Sequence, residues 1–171
     1  IAHLEFYHPK SNSLPGNLLN LLAKNITDIG KITSIQAIIL KSKGNNAFCA
    51  GASFDELINI KDEYEGGKFF SGFAKVINAA RKCPKLIIGR IHGKAVGGGV
   101  GLAAAVDYCF ATKFSSIKLS ELSIGIGPFV VGPVIERKIG KSAMTDLSIN
   151  PSEWKSPIWA FQKGLYSEIF E

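Results

Sequence analysis

The chain has 171 residues, 46% of them hydrophobic and 20% charged, which excludes a disordered polypeptide and fits one globular domain. Lys and Arg outnumber Asp and Glu by 20 to 14, a formal charge of +6; this suits a polyphosphate-bearing partner and equally an ordinary basic enzyme. Cys49, Cys83 and Cys109 form no CxxC pair, so neither a disulfide framework nor a zinc site is indicated, and a reducing, cytoplasmic home is expected.

Ile1 to Tyr7 reads as an edge strand ended by His8-Pro9. Asn12-Ser13-Leu14-Pro15 supplies a helix cap, and Leu18, Leu19, Leu22, Ile26 and Ile29 recur at helical spacing up to Gly30. Ile35 to Leu40 is a buried strand, followed after a polar turn by Phe48-Cys49-Ala50-Gly51-Ala52. A helix is predicted from Phe54 to Ile60, a mobile loop from Lys61 to Lys68, and a long helix from Phe69 to Lys82. Lys85 to Ile91 is a second buried strand, and Gly93 to Gly101 a glycine-rich turn before a helix starting at Leu102. Tyr108 to Ala111 and Ser116 to Leu119 read as short strands, Gly125 to Gly132 as a loop, and Val134 to Ile139 as a helix before Gly140. Strands alternate with helices and glycines stand at strand ends, so the class is α/β with ligand sites at the carboxyl ends of strands. No apolar run approaches the ~20 residues of a membrane span. The chain opens without Met, inside a strand, and 1–171 reads as a single domain forming the N-terminal core of a longer protein.

Three segments carry candidate chemistry. Gly97-Gly98-Gly99-Val100-Gly101 lies between a strand and a helix, where free backbone N–H groups at a positive helix end can hold an oxyanion; close helix-on-strand packing explains the same glycines. Leu102 stands where a dinucleotide fingerprint needs its last glycine, and Ile135 where a phosphate loop ending Gly140-Lys141-Ser142 needs its first. Ala50, Gly51 and Ala52 are small enough for a substrate to lie along the backbone and use the Ala52 N–H, or they make a tight strand-to-helix connection. Glu121 is a lone carboxylate among small and apolar residues. It is a proton shuttle if burial raises its pKa, or an exposed carboxylate paired with Lys118. No GxSxG elbow is present, and no alternation of basic and aromatic residues suggests nucleic-acid binding.

The two turns and the carboxylate, in this order and separation, resemble the crotonase superfamily, the enoyl-CoA hydratase/isomerase family. The matching segments are Ala37 to Ala52, Ile91 to Gly99, Asp107 to Ala111 and Leu119 to Gly125. The resemblance implies a crotonase-like spiral of repeated ββα units, without the family's C-terminal helical region. It also implies a homo-oligomer, a trimer or a dimer of trimers. The substrate would be an acyl-CoA thioester, coenzyme A being part of that substrate, with no separate cofactor, no metal, no nucleic acid and no membrane. By position, Ala52 and Gly98 would supply the oxyanion hole and Glu121 the acid/base. Ala50, Gly51, Gly97 and Gly101 would complete the substrate contacts. Gly101 stands where the hydratases carry a second glutamate, and its form Gly-Gly-Gly-Val-Gly resembles the 3-hydroxyisobutyryl-CoA hydrolase branch, whose further aspartate is replaced here by Phe129. Three readings follow: an enoyl-CoA hydratase or isomerase in fatty acid metabolism, a 3-hydroxyacyl-CoA thioester hydrolase, or a catalytically weakened acyl-CoA-binding subunit.

Overall fold

The computed structural model describes residues 1–171. An edge strand β1 (Ala2–Phe6) and helix α1 (Gly16–Gly30) precede three turns of a spiral. Each turn runs strand, strand, helix: β2 (Ala37–Ser42), β3 (Ala47–Cys49) and the helices α2 (Phe54–Ile58) and α3 (Glu63–Lys82); then β4 (Leu86–Ile91), β5 (Lys94–Val96) and α4 (Gly98–Ala105); then β6 (Tyr108–Thr112), β7 (Ile117–Lys118) and, after a 3-10 turn at Glu121–Ile124, α5 (Gly132–Ile149). Helix α6 (Pro157–Gln162) and strand β8 (Glu168–Phe170) end the chain.

The first strand of every turn joins one parallel sheet, ordered β1-β2-β4-β6-β8, and the second joins another, ordered β3-β5-β7. Parallel pairing in register, such as Leu40 opposite Gly89 and Gly89 opposite Cys109, stacks the turns. The expected α/β spiral of ββα units is therefore present. The β2 and β4 residues facing the core, including Ile38, Leu40, Ile87 and Ile91, are buried and pack with Leu19, Leu22 and Ile26 of α1. At Gly72 a Cβ would lie 2.8 Å from Leu19 Cδ1, so glycine lets α3 lie close against α1. No helix is long and apolar enough to cross a membrane.

Four local expectations are corrected. The predicted loop from Lys61 to Lys68 is mostly the first turns of α3: Asp62 Oδ1 accepts from Glu65 N (2.8 Å) and Glu65 Oε2 from Lys61 N (2.9 Å). This reciprocal capping outweighs the two glycines. Asp62→Ala should cost about 1 kcal/mol, seen as a fall of roughly 2–4 °C in the midpoint of thermal unfolding.

Asn12 and Ser13 do not cap α1, whose N-cap is Pro15. Asn12 is buried at φ 56° and donates to Lys43 O and Ala47 O, while Ser13 Oγ donates to Ala52 O. Side-chain bonds to segments 31 to 39 residues away fasten this loop instead.

The glycine turn from Gly93 to Gly101 contains β5, and α4 begins at Gly98 rather than Leu102. Low glycine propensity is overridden because a Cβ at Gly98, Gly99 or Gly101 would come within 2.3 to 2.6 Å of a neighbouring segment. The helix read as ending before Gly140 leaves helical geometry there (φ 79°) and then resumes to Ile149.

Candidate active site

The turns after β3 and β5 lie side by side because their strands are neighbours in the three-stranded sheet. The first turn is pinned by a parallel bridge between Leu14 and Ala52, in which Leu14 N donates to Gly51 O and Ser53 N donates to Leu14 O. Those bonds use the edge facing Leu14, which leaves the Ala52 N–H on the other edge with no protein acceptor. In the second turn Gly97 takes φ 52° and donates to Lys118 O, after which the chain enters α4. Gly98 is the first helical residue, so its N–H has no intrahelical acceptor, and it is bonded to no other group. A Cβ on Gly51 would lie 3.6 Å from Gly98 N, a measure of how closely the two turns approach.

A cavity of ≈ 410 Å³ opens at this point, and Ala50, Gly51, Ala52, Gly97, Gly98 and Glu121 all line it. Glu121 begins the 3-10 turn that follows β7. A Cβ on Gly97 would sit 2.8 Å from Glu121 Oε1, so the carboxylate packs on bare backbone. Glu121 Oε2 is shielded from solvent and accepts no hydrogen bond. Burial raises the Glu121 pKa above its ordinary value, with the residue's own backbone N–H pulling partly back. Lys118, the alternative partner, turns its ammonium over the Trp154 ring instead.

Gly101 is not brought to the cavity. It is buried in α4, where a Cβ would stand 2.6 Å from Val131 Cγ1, and Val131 itself forms part of the cavity wall. Branched hydrocarbon thus fills the space beside Gly101. Cys49, beneath the first turn, is fully buried and its thiol is pushed up to about 12 by desolvation, which leaves it un-ionised and inert.

The rest of the wall was not legible as a site. Phe69, Phe70 and Phe73 of α3 line it, as do Leu57, Ile124 and Val130. In the sequence, phenylalanines spaced i, i+1 and i+4 look like the core stripe of a helix. Their grouping opposite a glycine triplet is the only signal: a Cβ on Gly98 would be 2.3 Å from Phe73 Cζ, so the ring packs flush on that glycine.

Raising the Glu121 pKa on folding has a consequence for stability. The folded state keeps this proton to higher pH than the unfolded chain. The group's contribution is therefore full below the ordinary carboxyl pKa and is lost as pH rises through the raised folded value. Glu121→Gln cannot ionise, so we expect it to unfold at a higher temperature than the wild type at neutral pH. The gap should close toward about pH 4, near the ordinary carboxyl pKa. Parallel stability–pH curves for the two proteins would show that Glu121 is not desolvated.

An alternating two-sheet ββα spiral, with paired free N–H groups and a desolvated carboxylate on one cavity, defines a crotonase-fold protein. The description "Enoyl-CoA hydratase/isomerase" is that of the family model matching residues 1–170, and the chain belongs to this family. It is 34% identical over 137 residues to the human mitochondrial methylglutaconyl-CoA hydratase, covering 80% of this chain and 40% of that protein. To an enoyl-CoA hydratase of Alternaria alternata it is 36% identical over 132 residues, covering 74% of this chain and 43% of the relative. The crystal structure of an enoyl-CoA hydratase from Mycobacterium smegmatis superposes with a TM-score of 0.92 at 26% identity, over 98% of this chain and 65% of that one. The corresponding values for an enoyl-CoA hydratase from Bacillus anthracis are 0.90, 26%, 98% and 65%. The chain thus spans about 40 to 65% of the length of these relatives.

Proposed function

We propose that the protein processes acyl-CoA thioesters, most directly as an enoyl-CoA hydratase or isomerase acting through a thioester enolate. The observation that carries this reading is the convergence on one apolar cavity of the unbonded N–H groups of Ala52 and Gly98 with the buried carboxylate of Glu121. A thioester oxygen held by the two N–H groups at the positive end of α4 would gain negative charge as the enolate forms. Each preorganised donor of this kind is worth about 2.7–4 kcal/mol in the transition state. Glu121, its pKa raised by burial, would exchange the proton at the substrate carbon facing it.

Val131 beside Gly101 favours chemistry run by this single carboxylate, since Asp55, the other acid on the wall, is ion-paired with Lys10. Moving a proton between two carbons on one face needs only one acid/base; hydration requires water placed by another group. Thioester hydrolysis is the competing reading suggested by Gly101. The reading includes coenzyme A as part of the substrate with no separate cofactor, a cytoplasmic location, and a homotrimer or dimer of trimers. Exposed Leu122, Phe129 and Ile149 near α5 supply apolar surface for such an assembly.

The test is to incubate the full-length protein with a series of 2-enoyl- and 3-enoyl-CoA esters and 3-hydroxyacyl-CoA esters. Loss or shift of the conjugated double bond supports the proposal. Release of free thiol without it would replace the proposal with hydrolysis, and binding without turnover would leave a binding subunit.

A further inference from the structure

Charge on the cavity wall is one-sided. Lys10 is the only cation there, and its ammonium is already paired with the Asp55 carboxylate at the solvent-exposed mouth. The remaining ionisable wall residue is the acidic Glu121. Of the three wall hydroxyls, Ser13 has its proton committed to Ala52 O, while Ser53 Oγ accepts from Glu56 N and keeps its own neutral O–H, which supplies no positive charge. Around them stand Leu57, Phe69, Phe70, Phe73, Ile124 and Val131. An anion entering this space would shed its hydration, find no free cation, and face a second carboxylate. Buried charge is tolerated only when paired and hydrogen-bonded.

We propose that this cavity accepts acyl-CoA thioesters whose acyl group is uncharged hydrocarbon and excludes those whose acyl group ends in a free carboxylate. The inference rests on reading the cavity as an acyl-CoA site. It separates this chain from the human relative named for a methylglutaconyl group, an acyl chain with its own terminal carboxylate. Selectivity here comes from what the wall withholds, which is as effective as an added attraction.

Titration calorimetry on the full-length protein with 5-methylhexanoyl-CoA and glutaryl-CoA tests this. The two acyl groups have the same shape and differ in ending with two methyls or with a carboxylate. Glutaryl-CoA is expected to bind on the order of 10²-fold more weakly, the scale of discrimination when a polar group is left without partners. Equal or tighter binding of glutaryl-CoA overturns the inference and leaves the acyl-CoA reading intact. Failure of both ligands to bind overturns both. Phe70→Lys places a cation on the wall at a residue 37% exposed, where a charge is tolerated. It should recover glutaryl-CoA binding by at least about 10-fold, on the same discrimination scale. No recovery would mean that the missing cation is not what excludes the carboxylate, and would overturn the inference.

Discussion

Replacing Glu121 with glutamine is expected to lower turnover of the preferred acyl-CoA by ~10²–10⁴-fold while leaving its binding nearly unchanged. Glutamine keeps the shape that packs on Gly97 but has no titrating proton. The loss should appear in kcat rather than KM, because the carboxylate acts on the reacting carbon and supplies little ground-state affinity. The wild-type rate should also depend on pH through a carboxyl group titrating above its ordinary range, and that limb should vanish in the variant. Turnover retained within a few-fold would assign the proton transfer to another residue. Combined with the higher unfolding temperature expected at neutral pH, the variant would be more stable and less active, the usual exchange when a functional charge is removed from a buried site.

Gly99→Ala is expected to have the larger structural effect. A Cβ at Gly99 would stand 2.3 Å from the carbonyl oxygen of Cys49 and 2.9 Å from its Cβ. The first clash is with backbone in β3, so no side-chain rotation relieves it, and the turn bearing Ala52 must move away from α4. Alanine gains about 1 kcal/mol of helix propensity over glycine, but a clash with immovable backbone puts the overpacking cost at the upper end of its usual range, about 3 kcal/mol. We expect a net loss of about 2 kcal/mol, or roughly 4–8 °C in thermal unfolding, together with a fall in kcat as the two N–H groups separate. Gly67→Ala is the control. It lies in α3 with open space around it and ordinary backbone geometry, and should stabilise the protein slightly. If Gly99→Ala proves as stable and active as Gly67→Ala, the close approach of the two turns is not what holds the site.

The sequence by itself determined the parts whose physics is local. Isoleucine-rich runs specify β2 and β4, the 3.6-residue spacing of leucines specifies α1, and glycines after strands mark where backbone is left open. The two small-residue turns and the lone Glu121 stand out by residue type, but the roles of Ala52, Gly98 and Glu121 follow from their resemblance to the crotonase superfamily in order and separation. What local signals could not give was decided in three dimensions. Asn12 and Ser13 look like a helix cap and instead fasten loops 31 to 39 residues away. Gly101 resembles a substrate contact, yet Val131, thirty positions along the chain, stands beside it in the core. The phenylalanines of α3 became cavity wall only because Gly72 brings that helix against α1 and Gly98 leaves room for Phe73. Side-chain type dictates a strand, a helix or an open backbone, but which side chains face a common space depends on contacts between segments far apart in sequence, and those exist only once the two sheets have stacked.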